Sequence, residues 1–508
     1  MTEQRTHTRQ SVDWWLIGTY LVLVVIGWLN IYAATHSSEP GSLLSWSSRA
    51  GKQFVWILTS LGLAGAILYL IPPRMWESGC IPFYVAVLGL LVLVIFVSSD
   101  VKGSHSWFNL GPIRFQPAEI SKISTSLLLA YVMSQQNFRI TRWKDFWTAV
   151  LIIGVPMLVI IGESETGSAL VYAGFIFVLY REGLSGWWLG AIGLVIILFV
   201  GTLRWSAYWS VMLMTAMLLL CNAAEGSAHL RKGRLLYGGG IFVLVMGAFP
   251  FVLRHVCDKV QAHMDFLSSR VWVPSAHETY HYTWSFLLDV NPLWVLLGLC
   301  GLALPLLAVW AWHQKDRFLA ISLGVWLAGV ALVFSTDYIF QHVLQPHQRS
   351  RIEVLLGLKE DPSGVGYNVL QSKIAIGSGG LFGKGFLQGT QTTFGFVPEQ
   401  ATDFIFCTVG EEWGFLGCLV VIGLYTFLIT RLVLDAESCR GKFTRIYGYC
   451  VASCVFMHLF INVGMTIGLM PVIGIPLPLL SYGGSSLWAF TILIFIFLSL
   501  YRNEKKYF

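Results

Sequence analysis

The chain is expected to fold as an all-α, polytopic transmembrane helix bundle, and two properties carry that expectation. Its 508 residues are 56% hydrophobic and only 12% charged, with a mean hydropathy of +0.67. A soluble domain carries about 25% charged residues. Apolar stretches of about 20 residues, the length that crosses a bilayer, also recur from end to end. Such a chain cannot cover a water-facing surface, so lipid must be its solvent. The net charge of +6 calls for no nucleic-acid partner, because the Lys and Arg residues sit in short loops between apolar runs, as the positive-inside pattern predicts.

About fourteen spans are predicted, near 13–34, 52–71, 81–98, 118–136, 145–162, 167–180, 186–203, 207–222, 235–253, 291–312, 318–336, 404–430, 445–469 and 485–501. The polar start MTEQRTHTRQSVDWW runs into a full-length apolar stretch without an evident cleavage site, so the first span is expected to be retained. The stretch 167–180 is short enough to be partly re-entrant. An even count puts both termini on one side. With the N-terminus inside, the inner loops include RITRWK (139–144), LRKGR (230–234), HQKDR (313–317) and the stretch from Arg431 to Arg445. About 19 basic residues then fall inside and about 13 outside, five of those in one long loop. Short loops dominate orientation, so N-in and C-in is predicted.

The nine cysteines are scattered, and several, including Cys300, Cys407, Cys418, Cys450 and Cys454, lie in or beside apolar runs. No CxxC pair or Cys/His cluster marks a metal site, so they are read as small buried hydrophobes. Three outer segments are long, about 99–117, 254–290 and 337–403. The last is the longest polar stretch in the chain, and long loops of a compact bundle are where function concentrates.

In that loop glycine recurs at 364, 366, 377, 379, 380, 383, 385 and 389. Such a backbone can bring N–H groups close to an anion. Arg349, Arg351, Lys373 and Lys384 add positive charge, and Asp361 stands in a DP turn. Cations that bind phosphate, with one carboxylate that takes a proton from a hydroxyl, suit transfer from a pyrophosphate-linked donor. A plain surface loop would have a similar composition. Earlier, in VKGSHSWFNLGPIRFQPAEISKIS (101–124), Trp107 and Phe108 lie beside a tight LGP turn; aromatic rings at an interface usually mark the headgroup belt, and they also stack on sugars. Glu119 and Lys122 follow three residues apart on one face of an apolar helix. Charges inside a span default to a functional reading, and a structural ion pair is the alternative. Glu163 and Glu165 lie at the outer end of the fifth span, where plain loop charges are the alternative reading. The segment LMPVIGIPLPLLSYGGSS (469–486) cannot be a regular helix, so it must be buried in protein or line a cavity.

These motifs carry a resemblance. DPSGVGYNVLQSKIAIGSGGLFGKGFLQGTQ, PEQATDFIF with EEWGFLG, PVIGIPLPLLSYGGSS and KGSHSWFNLGPIRFQPAEISKIS together closely resemble the SEDS family (shape, elongation, division and sporulation), over about 1–203 and 337–508. The combination looks more like the elongation branch than the division branch. The resemblance implies a peptidoglycan glycosyltransferase that polymerises lipid II, an undecaprenyl-pyrophosphate-linked disaccharide, at the outer face of the bacterial cytoplasmic (inner) membrane. It implies a class B penicillin-binding protein as transpeptidase partner, alongside other elongation-complex membrane proteins. By resemblance Asp361 is the general base and the transfer inverts. Lys102, Trp107, Glu119, Lys122, Glu165, Arg349, Arg351, Lys373, Lys384 and Ser481 are the candidate substrate-binding residues. No cofactor is required by the sequence and no metal ligand set is evident, although a divalent cation, Mg or Mn, could assist at the pyrophosphate. The chain departs from the family at Ser106, where a basic residue is usual, at Glu165 for Asp, at His347 for Tyr, and at Gly357 for Asp.

The resemblance implies a core of about ten spans. The remaining stretch, 204–336, reads as an insertion of about four helices, with an outer segment at 254–290 containing His263, His277 and His281. The expected organisation is therefore 1–203 first core part, 204–336 insertion, 337–403 catalytic loop and 404–508 last core part. Two other functions compete. A precursor flippase or transporter would also have broken helices and intramembrane charges, but no internal repeat is visible. A non-catalytic scaffold of the wall-synthesis complex is the third reading.

Overall fold

The computed structural model describes residues 12–36, 43–98, 106–110, 113–225, 229–270, 290–359 and 364–506. Among them, 11 helices are long and apolar enough to cross a membrane. The stretch expected at 118–136 is an 18-residue helix whose first turns carry Glu119 and Lys122. The stretch at 167–180 is two short helices, and 207–222 is apolar but shorter than a full span. Each predicted stretch is therefore helical. The departure from an all-helical chain among the described residues is a small hairpin, Phe108–Leu110 (β1) paired antiparallel with Ile113–Phe115 (β2).

The contacts divide the chain into two compact units, residues 1–186 with 350–508, and residues 187–349. The first unit contains α1 (Trp14–Thr35), α2 (Arg49–Tyr69), α3 (Pro73–Ser78), α4 (Cys80–Val97), α5 (Pro117–Ser134), α6 (Trp143–Gly162), α7 (Thr166–Tyr172) and α8 (Phe175–Arg181). The second contains α9 (Trp187–Arg204), α10 (Ala207–Glu225), α11 (His229–Arg270), α12 (Pro292–His313) and α13 (Arg317–Tyr338). A helix α14 (Pro346–Leu355) begins the return to the first unit. That unit ends with α15 (Val365–Ser378), α16 (Thr390–Thr393), α17 (Ile405–Ser438), α18 (Lys442–Thr466) and α19 (Gly484–Lys506).

Local chemistry sets several helix starts. Asp13 caps α1, accepting from Trp15 N at 2.8 Å and Leu16 N at 3.3 Å. Ser48 caps α2, Asn291 caps α12 and Asp316 caps α13. Each satisfies a backbone donor that the helix itself leaves open.

The core of the first unit is built on α5, α18 and α19, which are buried along most of their length. Leu127, Leu129, Cys450, Val451, Phe490 and Phe497 are among its fully enclosed side chains. Helices α2 and α4 show most of their apolar surface outward, the pattern of helices whose solvent on one side is lipid. The second unit has its own small core around Leu198, Val211, Met214, Leu296 and Trp326. Polar contacts pin its helices. Trp326 donates to Thr215 at 2.9 Å and Asn222 donates to Ser322 at 2.9 Å, both buried. Interhelical hydrogen bonds of this kind hold helices together where lipid supplies no hydrophobic drive.

All nine cysteines are free thiols, and seven are buried, as their apolar settings predict.

Candidate active site

Four features of the first unit carry polar chemistry. The first is the turn after α6. Glu165 N bonds to Ile160 O at 3.2 Å and Ser164 N to Ile161 O at 3.0 Å, which closes the helix with a backbone reversal. Ser164 sits at φ 64°, a conformation that costs a non-glycine residue energy and clusters at functional sites. The reversal separates two carboxylates. Glu165 accepts from Ser106 Oγ at 2.7 Å. Glu163 is fully buried, and among the described residues neither of its carboxylate oxygens has a hydrogen-bond partner. Burial, reinforced by the Glu165 charge, pushes its carboxyl up to about 8, so at neutral pH it is mainly an acid rather than an anion.

Second, Arg351 on α14 is half-buried. Burial lowers its pKa, and the negative charges of Asp403 and Glu165 oppose that shift. Three separate segments thus converge electrostatically, α14, the α6–α7 turn and the turn before α17. A guanidinium carries five N–H donors in a fixed fork, and an arginine placed this way suits phosphate.

Third, Lys122 lies in the core with no solvent exposure. Its Nζ is 2.9 Å from Glu119 Oε1 and 2.8 Å from His458 Nε2, and 5.1 Å from the Phe490 ring centre. Glu119 Oε2 is buried and has no hydrogen-bond partner among the described residues. The pair is sealed from solvent, so in this structure it presents no open contact for a sugar.

Fourth, the glycine-rich stretch 379–385 lies against a break in α17. Gly414 has φ 65° and ψ −162°, a region essentially confined to glycine, and it interrupts the helix. The freed backbone groups are taken up by the glycine stretch. Lys384 N donates to Glu411 O and Gly385 N to Glu412 O, both at 3.0 Å, while Phe415 N donates to Gly380 O at 2.9 Å. A Cβ on Gly383 would overlap the Glu412 carbonyl. The Lys384 and Gly385 N–H groups are therefore spent on α17, and for these two the expectation that they cradle an anion is corrected to a docking contact. The Lys384 ammonium is likewise engaged, 2.7 Å from the buried Glu411 carboxylate, which also accepts from Gln391 N and Thr392 N at 2.9 Å each.

The other candidates fall as follows. Trp107 is half-buried, with its carbonyl accepting from Ser98 Oγ at 3.0 Å. Lys373 is exposed and lies against Gly468 at the end of α18. Arg349 packs 5.2 Å from the Phe340 ring centre. Ser481 is buried, donating to Thr402 O at 2.6 Å and accepting from Leu477 N at 2.7 Å, so its hydroxyl pins the proline-rich segment. Asp361, Lys102, His277 and His281 lie outside the described residues, as does the side chain of His263. Among the described residues no group of three His, Cys, Asp or Glu side chains could hold a metal ion. The sequence reading did not single out Asp403, Glu411 or His458. A histidine in an apolar span was the signal available for the last. The other two lay inside motifs whose spacing alone assigns no contact.

The family model described as cell cycle protein, FtsW/RodA/SpoVE, matches residues 13–229 and 294–506. The chain belongs to the SEDS family. The family model leaves residues 230–293 of this SEDS protein unmatched. Peptidoglycan glycosyltransferase RodA of Treponema pallidum (strain Nichols) is 30% identical over 500 residues, covering 97% of this chain and 98% of the relative. Peptidoglycan glycosyltransferase MrdB of Escherichia coli (strain K12) is 28% identical over 436 residues, 86% and 81% of the two chains. These relatives place the SEDS protein with the RodA-like elongation members. Among solved structures, a chain from work on the structural coordination of polymerization and crosslinking by a peptidoglycan synthase complex matches with a TM-score of 0.56. It is 22% identical and covers 97% of this chain and 98% of that one, a likeness that speaks to the fold. The SEDS protein is thus a multi-pass membrane protein.

Proposed function

We propose that this protein is a peptidoglycan glycosyltransferase of cell elongation that polymerises lipid II at the outer face of the cytoplasmic membrane. The observation that carries the reading is the end-to-end match to a relative named for that activity, 97% of one chain against 98% of the other. Asp361 takes the proton of the acceptor sugar's 4-hydroxyl. The oxygen attacks the anomeric carbon of the lipid-linked donor as the bond to pyrophosphate breaks, and the configuration inverts. The leaving group carries the electron pair away as undecaprenyl pyrophosphate, where Arg351 and the exposed Lys373 offset its charge. A divalent cation would serve the same end at the pyrophosphate.

Fourteen crossings with both termini inside fit this placement, because they keep the loop containing Asp361 on the outer side. A class B penicillin-binding protein is the expected crosslinking partner, supported by the likeness in fold to a chain of a synthase complex.

The test is polymerisation of purified lipid II by the reconstituted protein with a transpeptidase-dead partner. Wild type is expected to form polymer and folded Asp361→Asn to form none. Equal polymer from both would remove Asp361 from the chemistry. Lipid II moved across vesicles without polymer would make the protein a flippase.

A further inference from the structure

The segment between α18 and α19 is irregular from Pro471 to Leu477, with Ile475 and Leu477 buried in the first unit. Such backbone persists at membrane depth only where neighbours satisfy its polar groups. Two side chains one turn apart on α18 do so. Asn462 Nδ2 donates to Ile475 O at 2.7 Å and also to Asp403 O at 2.8 Å. His458 Nδ1 lies 3.2 Å from the next carbonyl, Pro476 O. The other ring nitrogen of His458, Nε2, lies 2.8 Å from Lys122 Nζ.

These two contacts settle the tautomer. An ammonium can only donate and a carbonyl can only accept. Nε2 must therefore be the bare nitrogen, and Nδ1 must hold the proton that it donates to Pro476. His458 is enclosed, with Phe490 edge-on at 4.9 Å between ring centres, and the same ring lies 5.1 Å from Lys122 Nζ. The imidazole is thus a directional link. One side reads the Lys122–Glu119 pair, and the other fixes the carbonyl next to the one that Asn462 ties to Asp403. The negative charge of Asp403 in turn acts on Arg351.

We propose that His458 is a positioning residue for glycosyl transfer. As the Nδ1–H tautomer it couples the buried Lys122–Glu119 pair to the proline-rich segment, and through that segment it holds Asp403 in place. The proposal rests on the glycosyltransferase reading for its kinetic arm only.

The experiment compares wild type with His458→Phe and His458→Gln. Phenylalanine keeps the ring and removes both polar contacts. Glutamine carries an acceptor and a donor on one side chain. Lipid II polymerisation is measured with the partner present, and amide hydrogen exchange over 470–483 is measured without substrate. His458→Phe is expected to lower kcat at least tenfold with KM changed less than twofold, and to speed exchange over 470–483. His458→Gln is expected to recover a substantial part of both. A variant replacing the whole network, E119L/K122M/H458F, separates positioning from simple burial of charge. It is expected to regain thermal stability and not kcat. A kcat within twofold of wild type for His458→Phe, or recovery of both properties by the apolar variant, would overturn the proposal. If His458→Phe fails to fold, His458→Gln carries the exchange arm, and protection equal to wild type there supports the link while faster exchange counts against it. If wild type makes no polymer, the functional reading fails, and unchanged exchange in His458→Phe is then what would overturn the link itself.

Discussion

Lys384 reaches the Oε1 atom of Glu411 at 2.7 Å, and the Glu411 side chain has no exposed surface. The lysine lies in the glycine-rich loop and the glutamate in the first turns of α17, just before the Gly414 break. Their pairing locks the loop to the helix, as the neighbouring backbone bonds do. Replacing Lys384 by Met leaves the carboxylate its two backbone donors, so the loss is expected to be about 1–3 kcal/mol, since the ammonium is partly exposed. Glu411→Leu is expected to cost more, because it strands two N–H donors and the ammonium. Thermal unfolding in detergent measures both. A Lys384 that only bound substrate phosphate would raise KM and leave unfolding unchanged.

Gly414→Ala is expected to be among the most damaging single changes in the protein. Alanine at φ 65° and ψ −162° is strained by about 1–3 kcal/mol, and its methyl group would also overlap Gly383 N of the docked loop. Expression yield and thermal unfolding should both fall. Gly423→Ala, in the same helix where a Cβ meets nothing, should be neutral or slightly stabilising.

Glu163 makes stability depend on pH in a defined direction. Its carboxyl is raised from 4.5 to about 8 by burial and by Glu165. The folded state therefore holds a proton that the unfolded state releases between those values. Stability is full below pH 4.5 and is lost as pH rises toward 8, at up to about 1.4 kcal/mol per pH unit. Glu163→Gln, which keeps the shape without the ionisable group, should flatten that slope and raise stability at pH 8. Unfolding midpoints of the two proteins at pH 5 and pH 8 would show it, and parallel slopes would count against it.

Arg431 bridges two buried carboxylates. It pairs with Asp13, the cap of α1, and lies 3.5 Å from Asp435 one turn along α17. Arg431→Met is expected to destabilise by about 1–3 kcal/mol, because two carboxylates with little exposure lose their counter-ion while the half-buried guanidinium gives up some hydration of its own. Adding D13N and D435N should restore most of that loss. Failure of the triple variant to recover would mean that the arginine acts through its stem packing.

Much of this protein was decided by composition and period. Apolar runs of bilayer length dictate helices, since lipid offers backbone groups no partner. The fourteen stretches, the broken segment after α18 and the intramembrane Glu119 and Lys122 were all legible for that reason. What an ionisable or glycine residue touches was not legible, because those contacts join segments far apart in the chain. Lys384 and the glycines around it have the composition of a phosphate cradle, yet the fold spends them on Glu411 and the Gly414 break. Ser481 looks available and is a pin for Thr402. His458 gave only the cost of a polar ring in an apolar helix. Its meaning came from packing, which set Lys122 on one nitrogen and the Pro476 carbonyl on the other. Local sequence sets which backbone can be helical, but the low dielectric of the interior requires each buried polar group to find a partner, and only the tertiary structure chooses it.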